Sequence, residues 1–392
     1  MTVIECASIV LGPLTAQYLG DLGADVLKVE PATGDLTRHI GPRRSPTMGS
    51  LFLTNNRNKR SVVLDLKNPA GRATLDRLVD RADVFLHSVR GAAAARLGLD
   101  HATLAARNPR LVYCHVKGFA DDGPYGGKPA YDDVVQSLSG LAMLQTVVTG
   151  EPRYMPSILA DKVTAVHAAY AVTAALLHRE RTGLGQKVDV PMLETMAGFN
   201  TVEHLWGATF EPPLGPMGYE PVSTASRRPF ATRDGYLSFL PYSDVQWKRF
   251  FSLIGRDDVM EDPRFATFAA RQQNVALVWG EIGHQLTMRT NAEWTDLLGH
   301  EDIPFAVVNS LDQLTEDPHL VGTGFWQLHE DPVEGTLRLP TSSLGLSESP
   351  AGVHRLPPRL GEHTREILTE IGLDDAAIAR LAAEGGTDLD PA

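Results

Sequence analysis

Apolar positions in the first half of the chain fall in short, near-continuous runs separated by helical patterns. The opening reads V-I-E-C-A (3–7), then S-I-V-L-G-P, then L-T-A-Q-Y-L-G-D-L-G, then A-D-V-L-K-V-E (24–30). That is strand, turn, helix closed by a glycine, strand, the signature of a parallel sheet. The rhythm continues with S-V-V-L-D-L (61–66), a helix from about 70 to 81, A-D-V-F-L-H (82–87) and L-V-Y-C-H-V (111–116). Strands that are apolar at consecutive positions suit a sheet covered on both faces. The pattern predicts an α/β domain over the first half of the chain.

A longer helical pattern runs from Asp161, or just after it, to Arg181, with T-G-L-G as its stop. Q-K-V-D-V-P-M then reads as a strand, and a further helix reaches Trp206. Residues 211–229 are rich in proline and glycine and read as a linker. These signals predict a large domain from both chain ends, 1–210 and 310–392, and a small α/β domain at 225–305. Linkers are expected at 211–224 and 306–309. The runs I-P-F-A-V-V (303–308) and L-R-L-P-T-S-S-L (337–344) are read as bringing the chain back to the large domain.

Composition narrows the function classes. The 392 residues are 43% hydrophobic, enough for a real core. The longest apolar stretch, 163–177, is interrupted by His167 and too short to span a bilayer, and residues 1–10 carry no basic leader. A cytoplasmic protein with no membrane partner is expected. Cys6 and Cys114 sit in apolar strands and read as buried thiols. A formal charge of −12 argues against broad nucleic-acid binding. Against that background, 38–67 holds seven basic residues (Arg38, Arg43, Arg44, Arg57, Lys59, Arg60, Lys67) and one acid, Asp65. This is either a solvated basic face or a site for a small anionic ligand.

Several familiar motifs are missing. The first strand-to-helix turn has a single Gly12-Pro13 in place of G-x-G-x-x-G, although Glu30 stands where a ribose-binding acid would. There is no G-x-x-x-x-G-K-[ST], no G-x-S-x-G and no H-E-x-x-H, and the thirteen histidines show no metal-ligand spacing. Asp161 opens a helical pattern and so reads as an N-cap, yet a carboxylate held at a helix terminus is also a candidate nucleophile. The local sequence does not separate these readings.

Eight blocks taken together resemble the family III CoA-transferases. They are G-P at Gly12-Pro13, G-D-L-G-A-D-V-L-K-V-E (20–30), G-D-L-T-R (34–38), N-K-R-S-V-V-L-D-L-K (58–67), V-K-G-F (116–119), A-Y-D (130–132), R-E-R-T-G-L-G-Q-K-V-D-V (179–190) and L-G-E-H-T (360–364). The group includes formyl-CoA:oxalate and crotonobetainyl-CoA:carnitine CoA-transferases and, as a branch, the α-methylacyl-CoA racemases. The resemblance implies a large Rossmann-like domain, a small domain and a homodimer of interlocked rings. It implies acyl-CoA and a carboxylic acid as substrates, with no tightly bound cofactor or metal.

By position the resemblance makes Asp161 the nucleophile, with Tyr131 and Asp132 in support. It assigns Ile9, Leu64, Lys67, Arg96 and Arg38 to coenzyme A, with Lys128 beside a position where some members hold a lysine. A glycine-rich covering loop has its nearest match in L-G-P-M-G-Y (214–219), which contains Gly215 and Gly218. The sequence departs from the family where many members read E-N-F-x-P-G, since it has H-S-V-R-G-A (87–92). Val10 replaces the glutamine of the oxalate-handling branch, which implies a less polar or larger acyl group. Tyr131 stands where the racemases place a histidine. A phenol with a reference pKa near ~10 is a poor proton carrier at neutral pH, so the resemblance favours CoA transfer. A CoA-binding protein without turnover is the non-enzymatic alternative.

Overall fold

The computed structural model describes residues 1–220, 222–223 and 227–391. They form two compact units, Met1–Gly215 with Gly322–Ala392, and Pro216–Val321.

The first unit is built on a six-stranded sheet: β1 (Thr2–Cys6), β2 (Asp25–Glu30), β3 (Lys59–Val63), β4 (Val84–His87), β5 (Val112–Lys117) and β6 (Lys187–Pro191). Every pairing is parallel and the order is β3-β2-β1-β4-β5-β6. This is the doubly wound order, whose direction reverses beside β1. The predicted strands are all present, and their apolar runs are explained by burial on both faces. Ile4, Leu27 and Phe85 pack under Leu75, Leu78, Leu368 and Ile378 on one side. Val3, Val26, Leu86 and Cys114 pack under Leu19, Ala168 and Val172 on the other.

The long helix spans Leu159–Thr182 and ends where Gly183 takes φ 78°, a left-handed conformation that glycine reaches without strain. Its buried stripe is Thr164, Ala165, Ala168, Val172, Ala175 and Arg179. The alanines let it lie close against the Leu11–Asp21 helix. Its opposite side leaves Val166, Tyr170 and Leu177 half exposed.

The closing L-G-E-H-T block covers the outer edge of β3, whose backbone groups otherwise lack a neighbour. His363 N–H donates to Ser61 O at 3.0 Å, and the Thr364 hydroxyl accepts from Val63 N at 3.2 Å. An antiparallel hairpin, Trp326–Asp331 with Gly335–Pro340, also belongs to this unit.

The second unit has its own core, with Phe250, Phe251, Ile282 and Trp294 fully buried. Three short antiparallel strands, Phe230–Ala231, Tyr236–Phe239 and Phe305–Val307, form its sheet. Here the expectation for 303–308 is corrected. The run pairs with Tyr236–Phe239, so 306–309 is not a linker, because its apolar residues close the small unit's sheet. Among the described residues, no helix is long and apolar enough to cross a membrane.

Candidate active site

In an open parallel sheet, ligands settle beyond the carboxyl ends of the strands where the winding reverses. A cavity of about 300 Å³ lies there, lined by Ser8 and Ile9 after β1, Ser88 and Arg90 after β4, and His115 to Phe119 from β5. Gly127 to Tyr131, Met192 and Asp161 also line it. The cavity thus brings together four of the residues singled out from sequence: Ile9, Lys128, Tyr131 and Asp161.

Asp161 is in the first turn of its helix, which begins two residues earlier than the sequence suggested. It does not cap that helix. The cap comes from Asp132, 29 positions earlier in the chain. Its Oδ1 accepts Ala160 N–H at 2.6 Å and Asp161 N–H at 3.2 Å. Gln136 Nε2 donates to Asp132 Oδ2 at 2.5 Å and fixes the carboxylate from the other side. Asp132 itself is buried and opens the Asp132–Leu138 helix, with Tyr131 before it largely exposed.

The helix terminus is already occupied by another anion, so Asp161 loses the stabilisation that a capping role would bring. Burial, then the charge of Asp132, push its carboxyl up to about 7, with the Leu11 N–H pulling the other way. A carboxylate that is partly protonated at neutral pH and faces a cavity is poised for covalent or proton-transfer chemistry.

Arg90, Lys117, Lys128 and Asp121 are the other charged residues of the wall. Lys117 is held by Asp121 at 2.5 Å and Asp189 at 2.8 Å. His115 Nδ1 lies 3.8 Å from Asp189, and the three groups His115, Asp121 and Asp189 are close enough to suggest a cation site. The lysine ammonium already satisfies both carboxylates, so the protein supplies that cation itself. His115 stacks on His87 with ring centroids 4.2 Å apart, and burial, then Lys117, push it down to about 4. Lys128 lies over the Tyr125 ring at 4.8 Å. Among the described residues neither Lys128 nor Arg90 has a carboxylate partner, so both are available to an anionic ligand.

The basic run at 38–67 has a different character from the patch its sequence suggests. Arg38 is fully buried, forked onto Glu30 through Nε at 2.8 Å and Nη2 at 2.6 Å, and lies 3.7 Å from the Phe52 ring centroid. Glu30 is thereby spent as well, since Ser61 Oγ and the Asp35 N–H also donate to it. Arg57 pairs with Asp21, Lys59 with Glu5, and Arg60 with Asp25, Glu366 and Glu370. These acids all lie outside the run, which is why local charge counting could not see them. An Arg38 guanidinium in this position has no free face for a phosphate. Leu64 is 1% exposed in the core, whereas Lys67 and Arg96 are exposed; none of the three lines the cavity. Gly215 ends the first unit, and Gly218, at φ 118°, lies in the second.

Sequence reasoning did not assign Arg90 or Lys117 to the site. The signal was available: Arg90 follows β4, beside which the sheet's winding reverses, and Lys117 ends the neighbouring β5.

Comparison with known proteins agrees with this architecture. The model of "CoA-transferase family III" matches residues 1–364. A "Succinate--glutarate CoA-transferase" of Agrobacterium fabrum is 31% identical over 379 residues, covering 94% of each chain. The "Probable fatty acyl-CoA transferase Rv3272" of Mycobacterium tuberculosis is 33% identical, covering 93% of this chain and 96% of its own. An orthorhombic crystal form of Rv3272 superimposes with a TM-score of 0.81 at 32% identity, over 93% of this chain and 97% of the other. A "CAIB/BAIF family protein" from Brucella suis gives 0.82 at 28% identity, over 95% and 98%. With the family's model matched across nearly its whole length and relatives of this similarity, the chain belongs to CoA-transferase family III.

Proposed function

We propose that this protein moves coenzyme A from an acyl-CoA to a free carboxylic acid, with Asp161 as the covalent carrier. The observation that carries the reading is the Asp161 carboxylate on the cavity wall, with its own helix terminus already capped by Asp132.

The carboxylate attacks the thioester carbonyl, giving a mixed anhydride and coenzyme A thiolate. The thiolate then attacks the aspartyl carbonyl, which releases the donor acid and leaves an aspartyl-CoA thioester. The acceptor carboxylate attacks that thioester to form a second anhydride. The returning thiolate attacks the acceptor's acyl carbon, producing the new acyl-CoA and free Asp161. Each step exchanges bonds of similar activation, so the energy of the thioester is retained. The start of the Leu11–Asp21 helix, which reaches the cavity through Leu11, is the source of partial positive charge that we assign to the reacting carboxyl. Arg90 and Lys128 are the cations we assign to the anionic substrate. The names of the relatives make succinyl-CoA and glutarate the first pair to try.

Racemisation is the less supported reading. It needs a second base, and the candidates on this wall are the Tyr131 phenol and His115, an imidazole pushed down to about 4. Incubation with succinyl-CoA, trapping with hydroxylamine and peptide mass spectrometry separate the readings. A hydroxamate confined to Asp161 is the expected result. No adduct, together with α-proton exchange on a 2-methylacyl-CoA in deuterated water, would turn the assignment to a racemase. No adduct and no exchange, with CoA still bound, would leave a binding protein.

We also propose a homodimer. Val166, Tyr170 and Leu177 on the long helix, and Phe199 and Val202 on the Met192–His204 helix, are half exposed or more, and such a concentration suits a subunit interface. Sedimentation at dilute concentration should show no folded monomer. The buried free thiols Cys6 and Cys114 fit a reducing, cytoplasmic setting.

A further inference from the structure

Ile9 is at φ 73°, the left-handed region that a β-branched residue adopts only under constraint. It sits in the turn from β1 into the Leu11–Asp21 helix, on the cavity wall with Ser8 and Leu11. The constraint is visible beneath it. Asp35 Oδ1 accepts the Ile9 N–H at 3.2 Å, and Asn55 Nδ2 donates to Ile9 O at 3.0 Å and Val10 O at 3.5 Å. Lys28 Nζ donates to Ala7 O at 3.2 Å, and Lys59 Nζ to Pro13 O at 2.7 Å. Both ends and the middle of the turn are thus gripped by side chains.

The grips are locked to one another. Lys28 bridges Glu5 at 2.7 Å and Asp35 at 2.9 Å, while Lys59 reaches Glu5 at 2.8 Å and Asn56 Oδ1 at 2.8 Å. Glu5, Lys28 and Lys59 are 0% exposed, Asp35 3% and Asn55 4%. Two ammonium groups offset two carboxylates. A buried charge cluster of this kind is seldom the most stable filling for a core, so geometric specification is its more informative property. A strained backbone persists where its surroundings over-determine it, and such strain gathers at functional sites.

We infer that Asn55, Asp35 and Lys28 are positioning residues for the transfer reaction, holding Ile9 left-handed and with it the start of the Leu11–Asp21 helix, where Leu11 lines the cavity together with Asp161. The inference rests on the assignment of Asp161 as the covalent carrier. It differs from a stability role because it concerns the placement of the backbone that faces Asp161 across the cavity, and a small misplacement beside a reacting group lowers turnover far more than binding.

Asn55→Ala is the informative variant, because it removes one neutral donor and leaves the four charges paired. With succinyl-CoA and glutarate, kcat should fall at least ~10-fold while KM for succinyl-CoA stays within about 3-fold. Adding Ile9→Gly should restore most of the loss, since glycine takes positive φ freely. A lowered Tm with unchanged kcat, or no recovery in the double variant, overturns the inference. A crystal structure of Asn55→Ala provides a readout independent of turnover. Relaxation of Ile9 to negative φ supports the clamp, and retention near 73° overturns it. If the unmodified enzyme shows no Asp161-dependent transfer, the assigned reaction fails, and the Ile9 conformation still decides the clamp.

Discussion

Asp132 accepts the backbone N–H of Asp161 at 3.2 Å, so one aspartate caps the helix that carries the other. The arrangement places two carboxyl groups at one helix terminus and divides their roles. Asp132 takes the backbone donors, and Asp161 is left facing the cavity with its proton held to about 7.

That division gives a pH prediction. Transfer requires ionised Asp161, so kcat/KM should rise with pH through an acid limb near 7. Asp132→Asn keeps an oxygen acceptor for the cap and removes the charge that raises Asp161. Its acid limb should move to lower pH. An unchanged limb would show that burial alone sets the titration. Asp132→Ala loses the cap as well and should lower stability by about 0.5–2 kcal/mol in thermal or urea unfolding.

Asp161→Asn should abolish transfer and also stabilise the fold at alkaline pH. The folded carboxyl keeps its proton to about 7 against an ordinary 3.8, so between these values the folded state binds more protons than the unfolded one. Stability therefore declines as pH rises through that window, and the ionised group is a net cost above it. Removing the ionisation should raise Tm at pH 8 by at least ~2 °C and leave it nearly unchanged at pH 4. Scanning calorimetry at the two pH values checks the sign.

Arg90 and Arg38 should respond in opposite ways. Arg90→Ala removes an exposed cation on the cavity wall that lacks a carboxylate partner among the described residues. Its KM for acyl-CoA should rise about 10-fold, in keeping with loss of a charge-assisted contact, with little change in Tm. Arg38→Met leaves Glu30 buried without its counter-ion and should lower stability by about 3–5 kcal/mol. Paired measurements of KM and Tm decide the matter, because a phosphate-binding Arg38 would instead show its effect in KM.

The sequence by itself determined the parallel α/β sheet, the long helix and its glycine stop, and Asp161 as the residue to question. These follow from local causes: apolar periodicity, turn residues and propensity act over a few neighbours and leave their mark in order along the chain. Tertiary structure alone decided which acid caps the helix, because Asp132 reaches Ala160 across 28 residues. It turned Arg38, Arg57, Lys59 and Arg60 of the basic run into internal ion pairs, since Glu5, Asp21, Asp25 and Glu30 meet them only once β1, β2 and β3 lie side by side. It also moved 303–308 into the small unit, where Phe305–Val307 found a partner strand. Electrostatic and strand pairing act through space, and a linear pattern carries the charge or the apolar run without the identity of what will face it.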